Sequence, residues 1–154
     1  MVVLKGIPHI LSPELLYALA KMGHGDELVL ADANFPTSSI CAHGPKEIRA
    51  DGLGIPQLLE AILKLMPLDT YVPSPAAVMD LVDSDKMKEL PVPVWGTYSH
   101  ILRLNSAESN LEQVERFAFY ERAKKSFAVV ATGETALYGN LILKKGVLSA
   151  EQLI

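Results

Sequence analysis

His24 stands between two glycines in "MGHGDE" (22–27), and Asp32 follows eight positions later where an apolar run ends in "ADANFP" (31–36). Histidine titrates near neutral pH and can both give and take a proton. Flanking glycines leave its surroundings open to a ligand. An aspartate at a strand end could accept hydrogen bonds from sugar hydroxyls or orient the imidazole. A second place is "FAFYERAKK" (117–125), where Tyr120 follows Phe117 and Phe119. A phenol is a weak acid and a hydrogen-bond donor. A third is "ALYGN" (136–140), where Tyr138 and Asn140 flank Gly139 ahead of an apolar run. An asparagine amide donates and accepts, which suits a hydroxyl-rich ligand. Each place also has a structural reading. Gly23 could simply cap a helix beside a surface histidine, with Asp32 opening a turn. Tyr120 could be a core aromatic, and Asn140 could bond its own turn.

Other chemistries lack their residues. His9, His24, His43 and His100 show no metal-ligand spacing, and the single cysteine, Cys41, offers neither a disulfide nor a zinc cluster. No phosphate loop, dinucleotide fingerprint or exposed-serine elbow occurs. Neither a metal nor a cofactor is expected. The net charge of -4 disfavours nucleic acid as a partner. No apolar run reaches the ~20 residues that span a bilayer, and the first residues do not read as a signal peptide. The expectation is a soluble protein of the cytoplasm, with no membrane partner.

The elements that must position these groups alternate. The 154 residues, 49% hydrophobic and 21% charged, fit one domain over 1–154. Ser12 and Pro13 open a helix over about 13–22, stopped by Gly23 as the left-handed residue. "ELVLAD" (27–32) reads as a strand covered on both faces. "TSSICAHG" is helix or loop, "KEIRADG" a short strand, and "IPQLLEAILKLM" (55–66) a second helix ended by Pro67. "LDTYV" (68–72) reads as a third strand and "AAVMDLV" (76–82) as a fourth. Residues 83–93 read as a surface connection, and 94–105 and 111–125 as helical in part. "SFAVVAT" is a strong strand, and "LILKKGVL" closes the sheet. The class is α/β, helices packed on a largely buried sheet.

Taken in order, "LSPELL" (11–16), "MGHGDE", "ADANFP", "IRADG" (48–52), "LDTYV", "FAFYERAKK", "TGETALYGN" (132–140) and "LKKGV" (143–147) resemble the ribose pyranase / fucose mutarotase family, most closely its fucose mutarotase branch. The resemblance runs nearly end to end and is weakest over 83–112. It implies a single three-layer α/β/α domain with a mostly buried mixed sheet. It implies a cofactor-free isomerase that interconverts the anomers of L-fucose, with D-ribose pyranose/furanose exchange as the alternative. It also implies homo-oligomers, closed rings or smaller, with pockets completed near subunit contacts. By the same resemblance His24 is the acid/base residue and Tyr120 a second catalytic or hydroxyl-binding group. Asp32, Asp69, Tyr138 and Asn140 then bind the sugar. Phe35, Trp95 and Phe117 are candidates for the apolar contact to a fucose methyl. A non-catalytic sugar-binding protein on the same fold is the rival from another class.

Overall fold

Strand β1 (Glu27–Ala31) carries no polar side chain after Glu27, and its last four residues are buried. Side chains alternate along a strand, so Leu28 and Leu30 face one side of the sheet and Val29 and Ala31 the other. The two sets belong to two separate apolar clusters. A continuous apolar run is what a strand needs when helices cover both faces.

The computed structural model describes residues 3–105, 107 and 110–154. Its sheet has six strands in the order β2-β5-β1-β6-β3-β4. These are β1, β2 (Lys46–Ala50), β3 (Ala76–Met79), β4 (Leu111–Val114), β5 (Ala128–Thr132) and β6 (Leu141–Lys144). The pairs β1–β5, β2–β5 and β3–β4 are parallel, while β6 runs antiparallel to both β1 and β3. The sheet is therefore mixed. One face carries α1 (Pro13–Lys21), α3 (Ile55–Leu63) and α5 (Pro93–Leu104), through Leu15, Leu58, Ile62 and Leu102 among others. The other face carries α2 (Thr37–Cys41) and α6 (Arg116–Lys124), through Ile40, Phe119 and Ala123. That is the three-layer α/β/α arrangement. A short helix, α4 (Asp83–Met87), and a 3-10 turn (Ala150–Gln152) complete the elements. No helix among the described residues is long and apolar enough to cross a membrane.

Helix α1 begins as its residues dictate: Ser12 Oγ accepts the Leu15 amide at 3.1 Å, and Pro13 occupies the first turn. Its end differs from the expectation. The left-handed residue is Gly25 (φ +88), and the cap Met22 is extended. The carbonyls of Leu19 and Met22 are instead met by the Lys145 ammonium at 2.7 and 2.5 Å. A cation at a helix C-terminus satisfies orphan carbonyls and suits the helix dipole.

Residues 68–72 form no strand; only Leu68 bridges to Lys145. Asp69 Oδ1 takes the Tyr71 amide at 3.0 Å, and Pro67, Pro73 and Pro75 remove donors from both sides, so the stretch turns. "LEQV" is strand β4 and the helix starts only at Arg116, capped by Glu115, whose carboxylate accepts the Ala118 amide at 2.9 Å. Strand β6 lies in the middle of the sheet, between β1 and β3, and does not close an edge.

Candidate functional site

The parallel strands give the sheet two unlike rims. Asp32 follows the C-terminal end of β1, while His24 precedes its N-terminal end. Five strand residues span ~17 Å, so the two side chains of one chain lie on opposite rims. The pairing of His24 with Asp32 suggested by their spacing does not form. The reason is simple: an intervening buried strand keeps its ends apart.

The carboxylate at His24 is Asp69, 45 residues away in sequence. His24 Nε2 lies 3.0 Å from Asp69 Oδ1, with the imidazole 38% and the carboxylate 6% exposed. Both residues hang from the end of β6. The Gly25 amide donates to Lys145 O at 2.8 Å and the Asp69 amide to Lys144 O at 2.9 Å. The loop carrying His24 is closed by the Gly23 amide on Asp26 Oδ2 at 2.7 Å, and Gly25 supplies the positive φ. The Tyr71 ring meets the imidazole edge-on at 5.1 Å. The Asp69 carboxyl sits below the usual carboxylate range, first because of the Tyr71 amide and then because of His24. An ionised carboxylate only accepts, so Nε2 carries the hydrogen and Nδ1 is left to exchange a proton.

The opposite rim gathers the other candidates. Asn140 Oδ1 accepts the Asp32 amide at 2.7 Å, and Asp32 Oδ1 accepts the Asn34 amide at 3.0 Å. Both side chains are buried. Burial raises the Asp32 carboxyl above its ordinary value, and amides of Asn34, Gly139 and Phe35 only partly offset it. Beside it Phe35 touches Tyr120 edge-on at 5.7 Å. The Tyr120 hydroxyl accepts from Arg116 Nε at 3.2 Å, and the guanidinium also lies 5.6 Å from the Tyr120 ring centre. Arginine only donates, so the phenol keeps its own hydrogen to give. Arg116 was not among the residues singled out from sequence. Its signal was available, since residues four apart share a helix face.

Tyr138 is left-handed (φ +57), and two α5 side chains pin its turn. Trp95 Nε1 donates to Tyr138 O at 3.0 Å and the Tyr98 hydroxyl to Gly139 O at 2.6 Å. Trp95 is thus a brace behind the turn, not a free apolar surface. The Tyr138 hydroxyl donates to Asp85 Oδ2 and accepts the Val82 amide at 3.3 Å. Burial, then Asp85, pushes this phenol up. A hollow of 290 Å³ beside Asp32 is lined also by Phe35, Thr37, Ser38, Arg49 and Thr132. Among the described residues no group of three or more His, Cys, Asp or Glu could hold a metal ion.

So one rim holds a histidine–aspartate pair and the other holds a phenol, a guanidinium, a buried carboxyl and an amide. The family model described as the RbsD / FucU transport protein family matches residues 5–148. The chain belongs to that family. Among RbsD / FucU relatives, it is 72% identical over 154 residues to the fucose mutarotase of Homo sapiens, covering all of both chains. The crystal structure of the fucose mutarotase in complex with L-fucose from Streptococcus pneumoniae superposes with a TM-score of 0.86 at 50% identity. That match covers 95% of this chain and 100% of the other. The Bacillus subtilis RbsD complexed with D-ribose is 24% identical, with a TM-score of 0.69 over 96% of this chain and all of its own, and shares the fold.

Proposed function

We propose that this protein is an L-fucose mutarotase, an isomerase that interconverts the α and β anomers of free L-fucose. The observation that carries the reading is the imidazole held by Asp69 on a chain 72% identical, end to end, to a human fucose mutarotase. Opening a pyranose needs a proton delivered to the ring oxygen and one removed from the anomeric hydroxyl. The aldehyde then turns about its first carbon–carbon bond, and the ring recloses on the other face. Two positioned proton carriers suffice, each contributing ~10²–10⁴-fold. His24 takes one role through Nδ1. Tyr120 takes the other, with Arg116 staying behind to hold the phenolate. Asp32, Asn140, Tyr138 and Asp69 hold hydroxyls.

These groups meet only if two copies contribute. The His24 rim of one chain then faces the Tyr120 rim of the next. Such a contact joins unlike surfaces, and its repetition closes rings when the rotation allows. Tyr71 (75% exposed) beside His24, and Phe117 (65%) and Leu137 (59%) on the other rim, are the large apolar groups that the contact would cover. Phe117 and Phe35 then offer apolar surface for the fucose methyl. A cytoplasmic enzyme agrees with a lone free thiol, Cys41. The D-ribose reading has the weaker support, because the ribose-bound relative shares only 24% of positions.

Saturation-transfer NMR between the two anomer signals of L-fucose tests the reading. The unaltered protein is expected to transfer saturation faster for L-fucose than for D-ribose. His24→Ala is expected to lower exchange ~10²-fold or more while the chain still folds. Undiminished exchange in that variant removes His24 from the mechanism. Binding of L-fucose without exchange in the unaltered protein favours the non-catalytic rival.

A further inference from the structure

Helix α4 (Asp83–Met87) buries none of its residues. It closes on itself: the Glu89 amide donates to Lys86 O at 3.0 Å and the Leu90 amide to Asp85 O at 3.1 Å. Glu89 holds φ +53 to make that closure, a conformation that costs a non-glycine residue energy. A segment with no core contacts opens locally with little resistance. Its seat on the rest of the molecule therefore matters. Lys86 pairs with Asp80 at 2.8 Å, but that pair is exposed on the lysine side. Two further bonds converge on one phenol. Tyr138 Oη donates to Asp85 Oδ2, and the Val82 amide donates to Tyr138 Oη at 3.3 Å.

That phenol belongs to the left-handed turn that also carries Asn140, whose amide oxygen holds the Asp32 backbone. A carboxylate cannot donate, so the phenol hydrogen is spent on Asp85. One oxygen lone pair is spent on the Val82 amide. What remains toward a ligand is a single acceptor position. We propose that Asp85 is a positioning residue for the sugar site, seating α4 against Tyr138 and turning that phenol into a hydrogen-bond acceptor for a monosaccharide hydroxyl. The inference rests on the reading of Tyr138 as a sugar-contacting residue. It goes further in assigning the polarity of that contact and the part of the chain that sets it. A free phenol rotates its hydrogen among partners; this one is committed before the sugar arrives, which lowers the ordering cost of binding.

The test uses the full-length protein with Asp85→Ala, Asp85→Asn, Tyr138→Phe and the double variant Asp85→Ala/Tyr138→Phe. Two readouts are taken: amide hydrogen exchange over residues 82–90, and the dependence of anomer exchange on L-fucose concentration. Asp85→Ala is expected to speed amide exchange over 82–90 about tenfold or more. It should also raise KM about three- to tenfold, the loss of one oriented hydrogen bond, while kcat changes less than about twofold. Asp85→Asn, whose carbonyl still accepts, should restore most of both. The double variant should be no worse than Tyr138→Phe alone. Unchanged protection over 82–90 in Asp85→Ala overturns the seating. Effects on KM that multiply in the double variant overturn the coupling. If Tyr138→Phe loosens residues 82–90 but leaves KM unchanged, Tyr138 does not touch the sugar. In that case the site assignment has failed and the proposal falls with it.

Discussion

Asp32 is buried at the end of β1, and burial favours its neutral form, whereas a sugar hydroxyl is best held by a carboxylate. Its folded value lies above the ordinary 3.8 because desolvation outweighs the amides it accepts. A group raised in this way adds stability only below its unfolded value, and the contribution is lost as pH rises through the folded value. Wherever Asp32 is charged, then, its burial works against the fold. Asp32→Asn is expected to raise the melting temperature at pH 7 and to weaken L-fucose binding ~10-fold or more, measured by thermal unfolding and by titration. Binding by the unaltered chain should weaken on acidification at a pH above the usual aspartate range. Asp69 works in the opposite direction. Its carboxyl is lowered by the Tyr71 amide and His24, so its contribution is present above the unfolded value and lost as pH falls through the folded one. His24 was legible in sequence because glycines on both sides of a histidine are uncommon unless the backbone must turn there. The imidazole's partner was not, since Asp69 is 45 residues away and reads locally as part of a strand.

Elements carry the next level of the account, and the end of β6 carries most of it. Lys144 O holds Asp69, Lys145 O holds Gly25, and the Lys145 ammonium caps α1. Gly146 lies against the same segment. A Cβ there would meet Leu68 O at 2.4 Å and Asp69 Cα at 2.9 Å. These are backbone atoms and cannot swing away. Gly146→Ala is expected to destabilise the fold by ~1–3 kcal/mol in urea denaturation. It should also lower exchange, because Asp69 can move aside only by leaving His24. Most elements were readable from their own residues: the Ser12–Pro13 helix start, the buried run of β1, the β-branched stretch of β5. Two were not. "LEQV" has no buried run, because β4 is an edge strand with two exposed middle residues. The place of β6 between β1 and β3 depends on partners across the sheet, which local pattern does not encode.

For the whole molecule, the direction of β1 decides everything. A buried strand of five residues sets His24 and Tyr120 on opposite rims, so within one chain the two proton carriers of the proposed mechanism cannot meet. The resemblance to a known family implies pockets near subunit contacts; spacing along the chain carries no such signal, because eight residues look close until they are known to be extended. The most direct measurement mixes two inactive chains. His24→Ala and Tyr120→Phe are co-expressed with different tags, the mixed assembly is purified through both, and L-fucose anomer exchange is read by saturation transfer. Each variant alone should be inactive. In random mixtures about a quarter of the contacts would pair an intact His24 rim with an intact Tyr120 rim, so exchange should return to about a quarter of the unaltered rate. Mixed assemblies as inactive as the two parents would contradict the shared site.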